Sequence, residues 1–291
     1  MKIEKKENRI FSFESWISAA PLTLFLVCFF YVPAGLLLVA SFLKKGEGDS
    51  ILLVFTVEHY VRLVSDAFYV SAIVKSLVVS AVVALLCGGL AFPLCYMLAF
   101  RWSRSASRQV LILLMVPFWT SYLVRTFAWM SILGDKGLLN ELLIWLGVIK
   151  NPLPLLYSWL SVILSMVGFY LPFMIVAIYA SLLRIDRTLL MAARDLGATS
   201  WGVIRKVLLP LAAPGFFAGF VFVFVPSLDE FVSPQVLGGS NNFLIANFIS
   251  TFFKNSFEYS FGSALAFASL TFGLCVLLVV RRVAGVSKHH D

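Results

Sequence analysis

Residues 184–210 read RIDRTLLMAARDLGATSWGVIRKVLLP, a polar stretch that lies between two long apolar runs. Asp186 or Thr188 can cap the start of a helix, because either side chain can accept a hydrogen bond from a free backbone N–H group. The apolar residues that then recur on one face at helical spacing are Leu189, Leu190, Ala193 and Leu196. The spacing therefore predicts a short amphipathic helix in a loop where a simple connection needs none.

A second short helix is predicted to follow the first. Gly197 can end the first helix in a left-handed conformation, and Thr199 or Ser200 can cap the second. Pro210 then leads the chain into an apolar run. The apolar stripe has two interpretations of equal weight. It is either a helix face docked in the groove of a partner, or a face packed beneath the membrane helices of the same chain.

The runs on both sides of this loop, and others along the chain, are long enough to cross a membrane. The stretches without Asp, Glu, Lys or Arg are 15–43, 76–100, 151–183, 207–228 and 259–280, and residues 109–134 contain Arg125 alone. A spanning helix needs about 20 apolar residues. The sequence therefore predicts an all-α integral membrane protein, one domain over residues 1–291, with six spans at about 18–42, 74–99, 109–133, 160–183, 208–231 and 262–281.

The composition agrees with the apolar runs and excludes other classes. Hydrophobic residues make up 60% of the 291 residues and charged residues 13%, whereas a soluble domain carries about 25% charge. Disorder is excluded too, because it needs low hydrophobicity and high charge. Cys28, Cys87, Cys95 and Cys275 lie in apolar runs without a Cys-x-x-Cys pair. This pattern predicts buried free thiols and no disulfide or metal site.

The basic residues predict the orientation in the membrane. Lys and Arg concentrate on the cytoplasmic side of a membrane protein. The N-terminal tail, the loops 101–108 and 184–206 and the C-terminal tail carry most of them, while the loops 44–75, 134–150 and 232–258 carry fewer. Both termini are therefore predicted to face the cytoplasm. The net charge of +8 follows from this topology, so no nucleic-acid partner is predicted.

The loop 184–210 resembles the signature loop of bacterial ABC-importer permeases, EAA-x3-G-x9-I-x-L-P. The matching residues are Ala192, Ala193, Gly197, Leu209 and Pro210, with Met191 in place of Glu and Val207 in place of Ile. In that family the loop forms a coupling helix that sits in a cleft of a cytoplasmic ATPase. The resemblance implies a type I ABC-importer permease architecture with a cytoplasmic coupling helix. It assigns ATPase coupling to Leu189, Leu190, Met191, Ala192, Ala193, Asp195, Gly197 and Pro210.

Other stretches resemble the first of the two permeases of the spermidine/putrescine (polyamine) class. These are VPFWTSYLVRTFAWM (116–130), GDKGLLNELLIWLG (134–147) and PSLDEFVSPQVLGG (226–239). The resemblance implies a multi-pass protein of the bacterial inner membrane that forms half of a pathway for a small cationic solute. Other amines, opines and amino-acid-like solutes stay open as alternatives.

The resemblance also implies partners. They are a second homologous permease in a heterodimer, two copies of a cytoplasmic ATPase, a periplasmic solute-binding protein, and the surrounding membrane lipid. The chain has no G-x-x-x-x-G-K-[ST] phosphate loop. We therefore expect a transporter subunit with no catalytic residue and no cofactor of its own, and expect ATP and Mg to be used by the partner ATPase.

Arg125 is the first candidate for the substrate path. A charge at membrane depth is costly unless it faces protein or water, so a buried arginine in a span is a functional candidate. Trp119, Tyr122 and Trp129 share much of its helix face. Aromatic faces suit a polyamine through cation–π attraction, although Arg125 itself would repel one.

Asp229 and Glu230 are the second candidate, at the end of the fifth predicted span. Two adjacent carboxylates can attract a cationic solute, or one can form an ion pair with Arg125 that holds helices together, or both can lie at a solvated helix end. Prolines and glycines interrupt residues 226–239. Irregular backbone at membrane depth is tolerated only beside protein or a water-filled cavity, which favours a path or gate there.

Two other classes of function are alternatives. A stand-alone channel or ion-coupled transporter has comparable spans but leaves the pattern of residues 184–206 unexplained. An intramembrane enzyme using Asp229 or Glu230 needs a partner His, Ser or Cys at a suggestive spacing, and the sequence offers none. The ABC-importer permease accounts for the spans, the loop and the missing nucleotide site together.

Overall fold

A computed structural model describes residues 13–45, 51–240, 242–256 and 258–286. Its α-helices are α1 Phe13–Leu26, α2 Val32–Ser41, α3 Glu58–Ser65, α4 Ala67–Tyr96, α5 Arg104–Met115, α6 Tyr122–Leu133, α7 Leu138–Trp145, α8 Trp159–Leu182, α9 Arg187–Asp195, α10 Ser200–Val203, α11 Leu209–Leu228, α12 Val232–Leu237, α13 Ile245–Lys254 and α14 Tyr259–Val286. Two short strands, β1 Leu43–Lys45 and β2 Ile51–Phe55, pair antiparallel. Residues 1–12 and 287–291, which belong to the two tails that the sequence predicts to be cytoplasmic, lie outside the described residues.

Within the described residues, five helical stretches are long and apolar enough to cross a membrane, or six if one bent pair counts as a span. The five are Ala20–Ala40, Ala67–Arg101, Trp159–Leu182, Ser200–Leu228 and Tyr259–Arg282. The predicted all-α membrane fold is confirmed. The second stretch starts earlier than expected because Asp66 caps it, accepting a hydrogen bond from the Phe68 amide at 2.9 Å.

The third predicted span, 109–133, is not one helix. Helix α5 continues through a 3₁₀ turn at Val116–Trp119 and stops, and α6 starts at Tyr122, so the two halves meet at 99°. Pro117 has no amide hydrogen to continue the helix, and its ring clashes with the carbonyl four residues earlier. The prediction of one continuous helix here is therefore wrong, although the bent pair can still count as one span: the stretch has a single charge, Arg125, but its backbone is broken.

The protein core lies where α4, α8 and α11 pack together. Small side chains bring the backbones close: the Cys87 and Cys95 thiols donate to the carbonyl oxygens of Val167 and Ile175, at 3.7 and 3.3 Å. All four cysteines are free, but only these two are buried, since Cys28 and Cys275 are exposed. The expectation of four buried thiols was therefore wrong for the latter pair, whose apolar runs face outward.

The segment after α11 folds back and is fixed by polar contacts. The Asn247 side-chain amide donates to the Phe231 carbonyl oxygen at 2.7 Å, and its oxygen accepts from the Leu244 amide at 3.0 Å. The Ile245 amide donates to the Ser76 hydroxyl of α4 at 2.7 Å. Residues 229–247 are thereby held against the helix core, and they carry the two carboxylates that the sequence singles out.

Gly215 offers a test of the α8–α11 packing. A Cβ atom there would overlap the Ser181 side chain and lie 3.0 Å from the Ala177 carbonyl oxygen, which is backbone and cannot rotate away. Overpacking of this kind costs about 1–3 kcal/mol. We expect Gly215→Ala to lower the thermal unfolding temperature of the purified chain. Gly89→Ala is the matched control, because a Cβ there meets nothing within 4 Å, and an equal loss in both variants would contradict the packing argument.

Candidate functional site

The loop 184–210 contains the two predicted short helices. The Asp186 carboxylate caps α9, accepting from the Thr188 amide at 2.9 Å, and the same contact lowers the pKa of Asp186. Gly197 ends the turn after α9 with φ +85°. The Thr199 hydroxyl caps α10, accepting from the Gly202 amide at 3.2 Å. Both helices and their caps are confirmed, because caps are local and readable from sequence.

The apolar stripe of α9 is divided between two surroundings. Leu190 packs against the helix core, and Ala193 is half-buried. Leu189, Met191 and Leu196 are 49%, 56% and 88% exposed. Asp195, Ala192 and Pro210 are exposed as well. The interpretation of packing against the same chain is therefore confirmed for Leu190 and Ala193. Leu189 and Leu196 form an uncovered apolar surface, for which docking in a partner's groove stays a prediction.

Arg187 attaches α9 to the end of the second membrane helix. Its Nη2 donates to the Ala99 carbonyl oxygen at 2.8 Å, and its guanidinium carbon lies 5.9 Å from the centre of the Phe100 ring. On the other side, α10 runs through a π turn at Ile204–Leu208 directly into α11. The loop is therefore attached to two membrane helices, the stretch Ala67–Arg101 and α11.

Replacing Arg187 tests this attachment. A hydrogen bond from a charged donor contributes about 1.5 kcal/mol or more, which corresponds to roughly a tenfold change in an opening equilibrium. We expect Arg187→Ala to raise amide hydrogen exchange in α9 by about that factor without altering exchange in α8. Arg194→Ala, an exposed arginine on the same helix, is the control. Equal exchange in both variants would show that the bond to Ala99 does not hold the helix.

Arg125 lies on α6 within a group of three aromatic rings. Its guanidinium carbon is 3.9 Å from the centre of the Phe169 ring, 5.0 Å from that of Phe118 and 6.0 Å from that of Tyr122. The Nε atom is buried and has no hydrogen-bond partner among the described residues. We call the three rings the aromatic cage. Of the other predicted path residues, Trp119 is 92% exposed and Trp129 packs on Gly168.

Glu230 is buried and acts as the centre of a polar cluster. Its Oε1 accepts from the amides of Val232 and Ser233 at 3.0 and 3.1 Å, which caps α12, and its Oε2 accepts from the Tyr170 hydroxyl at 3.0 Å. The Ser233 hydroxyl is also hydrogen-bonded to the Tyr122 hydroxyl at 2.9 Å. The cluster therefore links the broken third span, α8 and the segment after α11.

The two carboxylates predicted as a pair have separate surroundings. Asp229 is exposed, whereas Glu230 is 6% exposed. Neither forms an ion pair with Arg125 in the described part of the chain, where the ion pair resolved is between Arg62 and Glu258 at 3.4 Å. The interpretation of Arg125 as a member of such an ion pair was therefore wrong, because Glu230 is already satisfied by backbone and hydroxyl donors.

Four members of this region were not predicted from the sequence: Phe118, Phe169, Tyr170 and Ser233. Phe169 and Tyr170 lie in an apolar run, where neighbouring aromatic residues are ordinary packing residues. Ser233 follows Glu230 by three residues, a spacing at which the carboxylate can bond to the backbone at a helix start. Only the spacing of Glu230 and Ser233 could have been recognised from the sequence. Among the described residues, no group of three His, Cys, Asp or Glu side chains is placed to hold a metal ion.

A multi-span helical protein with an exposed apolar loop attached to two membrane helices has the architecture of a transporter permease subunit. The family model described as binding-protein-dependent transport system inner membrane component matches residues 91–285. The chain belongs to this family. The resemblance of residues 184–210 to ABC-importer permeases is confirmed. The resemblance of the chain to the spermidine/putrescine class is confirmed as well.

The chain is similar to several named permeases. It is 35% identical over 257 residues to the spermidine/putrescine transport system permease protein PotB of Escherichia coli (strain K12), covering 88% of this chain and 93% of that protein. It is 33% identical over 264 residues to the protein of the same name from Haemophilus influenzae, covering 91% and 90%. With the Haemophilus influenzae permease protein PotC the identity is 29% over 214 residues, covering 72% and 75%.

Solved structures share the fold. A bacterial ABC transporter involved in the import of the acidic polysaccharide alginate contains a chain that matches with a TM-score of 0.72 at 18% identity, covering 96% of this chain and 97% of that one. A bacterial alginate ABC transporter in complex with an alginate pentasaccharide-bound periplasmic protein contains a second match, with a TM-score of 0.71 at 17% identity and 93% coverage of both chains.

Proposed function

We propose that this chain forms half of the translocation pathway of an ATP-driven importer for a polyamine such as spermidine or putrescine. The observation that carries the proposal is the 35% identity to the E. coli spermidine/putrescine permease PotB over 93% of that protein. The chain has few acidic residues with which to hold a multivalent cation in the described helices. Aromatic rings near Arg125 supply a surface that attracts alkylammonium groups instead.

The partners follow from the same reasoning. We expect a second permease of the PotC kind to complete the pathway, and a periplasmic protein to deliver the solute. The sequence contains no phosphate loop, so two copies of a cytoplasmic ATPase would bind ATP and Mg. The loop 184–210 would face that ATPase, and with six spans both termini would then lie in the cytoplasm.

The exposed face of α9 gives this proposal a mechanism. Leu189 and Leu196, which lie on one side of the helix at a spacing of seven residues, would sit in a cleft of the ATPase, where apolar side chains leave water. Met191 lies on another side of the helix. Closure of the ATPase dimer on ATP would displace α9. Arg187 and the continuous α10–α11 stretch would pass the displacement to α4 and α11, opening the path outward, and hydrolysis would reset it.

Reconstituted uptake tests the proposal. The chain is purified in mild detergent with the subunits that accompany it, and those subunits are identified by mass spectrometry. The complex is then placed in vesicles with radiolabelled spermidine outside. We expect spermidine uptake to require ATP inside the vesicles and the binding protein outside them. Unlabelled putrescine should reduce this uptake, and glutamate should not. Uptake by this chain alone without ATP, or ATP-driven uptake that spermidine and putrescine do not affect, would contradict it.

A further inference from the structure

The aromatic cage is formed by rings that contact one another independently of Arg125. The ring centres of Tyr122 and Phe169 are 4.3 Å apart, and those of Phe118 and Phe169 are 6.2 Å apart. The Tyr122 hydroxyl is fixed by Ser233, and Phe169 is followed by Tyr170, which is fixed by Glu230. One ring of the cage, Tyr122, is thus held by a hydrogen bond, and the Phe169 ring packs on it, so these two rings are preorganised.

The guanidinium group in the cage is held by ring faces and by no carboxylate within the described residues. Its closest aromatic contact is 3.9 Å, within the range in which a cation is attracted to a ring face. Its Nε atom is buried without a hydrogen-bond acceptor. A buried carboxylate, Glu230, lies one hydrogen bond beyond the ring of Tyr170. These surroundings suit a cation in general and provide no geometry specific to a guanidinium.

The break in the third span separates Arg125 from two of the three cage rings, Phe118 and Phe169, whereas Tyr122 lies on the same helix as Arg125. Phe118 lies before the break and Arg125 after it, on two helices that meet at 99°. Phe169 lies on α8, a separate helix. A change in the angle at Thr120–Ser121 therefore moves Arg125 relative to both rings. Beside the break, Trp119 is 92% exposed, which leaves this side of the cage open.

We propose that the aromatic cage is a cation site on the translocation path, occupied by Arg125 in this conformation, and that an ammonium group of the transported solute replaces the guanidinium during passage. The Arg125 guanidinium then competes with the solute's ammonium group for the cage, and it occupies the cage when no solute is being transported. The inference rests on the proposed polyamine transport, and it specifies where along the path an alkylammonium group is bound.

The Arg125→Ala variant empties the cage, and equilibrium dialysis of the complex in nanodiscs with radiolabelled spermidine measures the result. We expect the variant to bind one more spermidine per chain than the wild type does. At that site spermidine should bind the variant about fivefold or more tightly than it binds the wild type, the factor expected for a single favourable cation–π contact. Arg125→Lys keeps a cation in place and should gain no site. The double variant Arg125→Ala with Phe169→Leu should lose the gain, because it removes the nearest ring.

A second measurement tests the cation site independently of the proposal that the chain transports polyamines. Methylguanidinium restores the missing head group, and should raise the unfolding temperature of Arg125→Ala in a concentration-dependent way while leaving that of the wild type unchanged. Without that effect, the cage is not a cation site. If the effect occurs but spermidine gains no site, the cage is not part of the path. If vesicles with wild-type complex take up no spermidine, polyamine transport fails, and the methylguanidinium result still decides whether the cage binds cations.

Discussion

Gly197→Val is expected to lower uptake about tenfold while the amount of chain in the membrane stays unchanged. Gly197 has φ +85°, a conformation that costs a side-chain-bearing residue about 1–2 kcal/mol, and a β-branched residue fits it worst. Nothing lies within 4 Å of a Cβ atom added there, so the effect is on the backbone alone. In the variant we expect the backbone at the end of α9 to change conformation, which would move the Leu196 side chain away from the exposed apolar surface. ATP-driven uptake and ATPase activity, measured together in vesicles, should become uncoupled.

Gly147 provides a matched control. It also has positive φ, at +70°, after the short helix α7, and a Cβ atom there also meets nothing within 4 Å. Gly147→Val introduces the same type of backbone strain on a loop that the distribution of basic residues predicts to lie on the opposite side of the membrane. We expect it to leave uptake and its dependence on ATP unchanged. Equal losses in the two variants would show that the Gly197 effect is general destabilisation rather than coupling.

Glu230→Leu is expected to destabilise the protein by about 3 kcal/mol or more. The substitution removes the side-chain acceptor of two backbone amides, Val232 and Ser233. It also removes the shorter of the two hydrogen bonds of the Tyr170 hydroxyl, which keeps the Pro226 carbonyl oxygen at 3.3 Å. A buried donor left without a partner costs about 1–3 kcal/mol. The expected result is a large fall in unfolding temperature and in the amount of chain recovered from the membrane. Glu230→Gln keeps one acceptor oxygen for the amides and should lose less.

Asp229→Asn is the control for the buried carboxylate. Asp229 is adjacent in sequence but exposed, and surface substitutions usually change stability by no more than about 0.5 kcal/mol. We expect normal unfolding for Asp229→Asn, with any change confined to uptake of a cationic solute. If Asp229→Asn and Glu230→Leu lower the unfolding temperature equally, the hydrogen bonds of Glu230 do not stabilise the fold.

The shape of the third span could not be predicted from the sequence. Residues 109–134 carry no charge apart from Arg125 and are mostly apolar, so a pattern of hydrophobicity predicts a continuous helix. A proline inside such a run kinks or breaks a helix, but the sequence does not give the angle of the break. In the folded chain the two parts meet at 99°, and the Arg125 guanidinium carbon lies 5.0 Å from the centre of the Phe118 ring.

The sequence by itself determined the membrane class, the helical loop 184–210 with its caps at Asp186 and Thr199, and the family resemblance, because periodicity, capping and motif spacing act within a few residues. The tertiary structure alone decided which side of α9 is exposed, that Glu230 is buried while Asp229 is not, and that Arg125 faces rings rather than a carboxylate. Each of these outcomes depends on a contact between distant parts of the chain, such as Arg187 with Ala99 or Glu230 with Tyr170. Such contacts arise from helix packing, which no local pattern specifies.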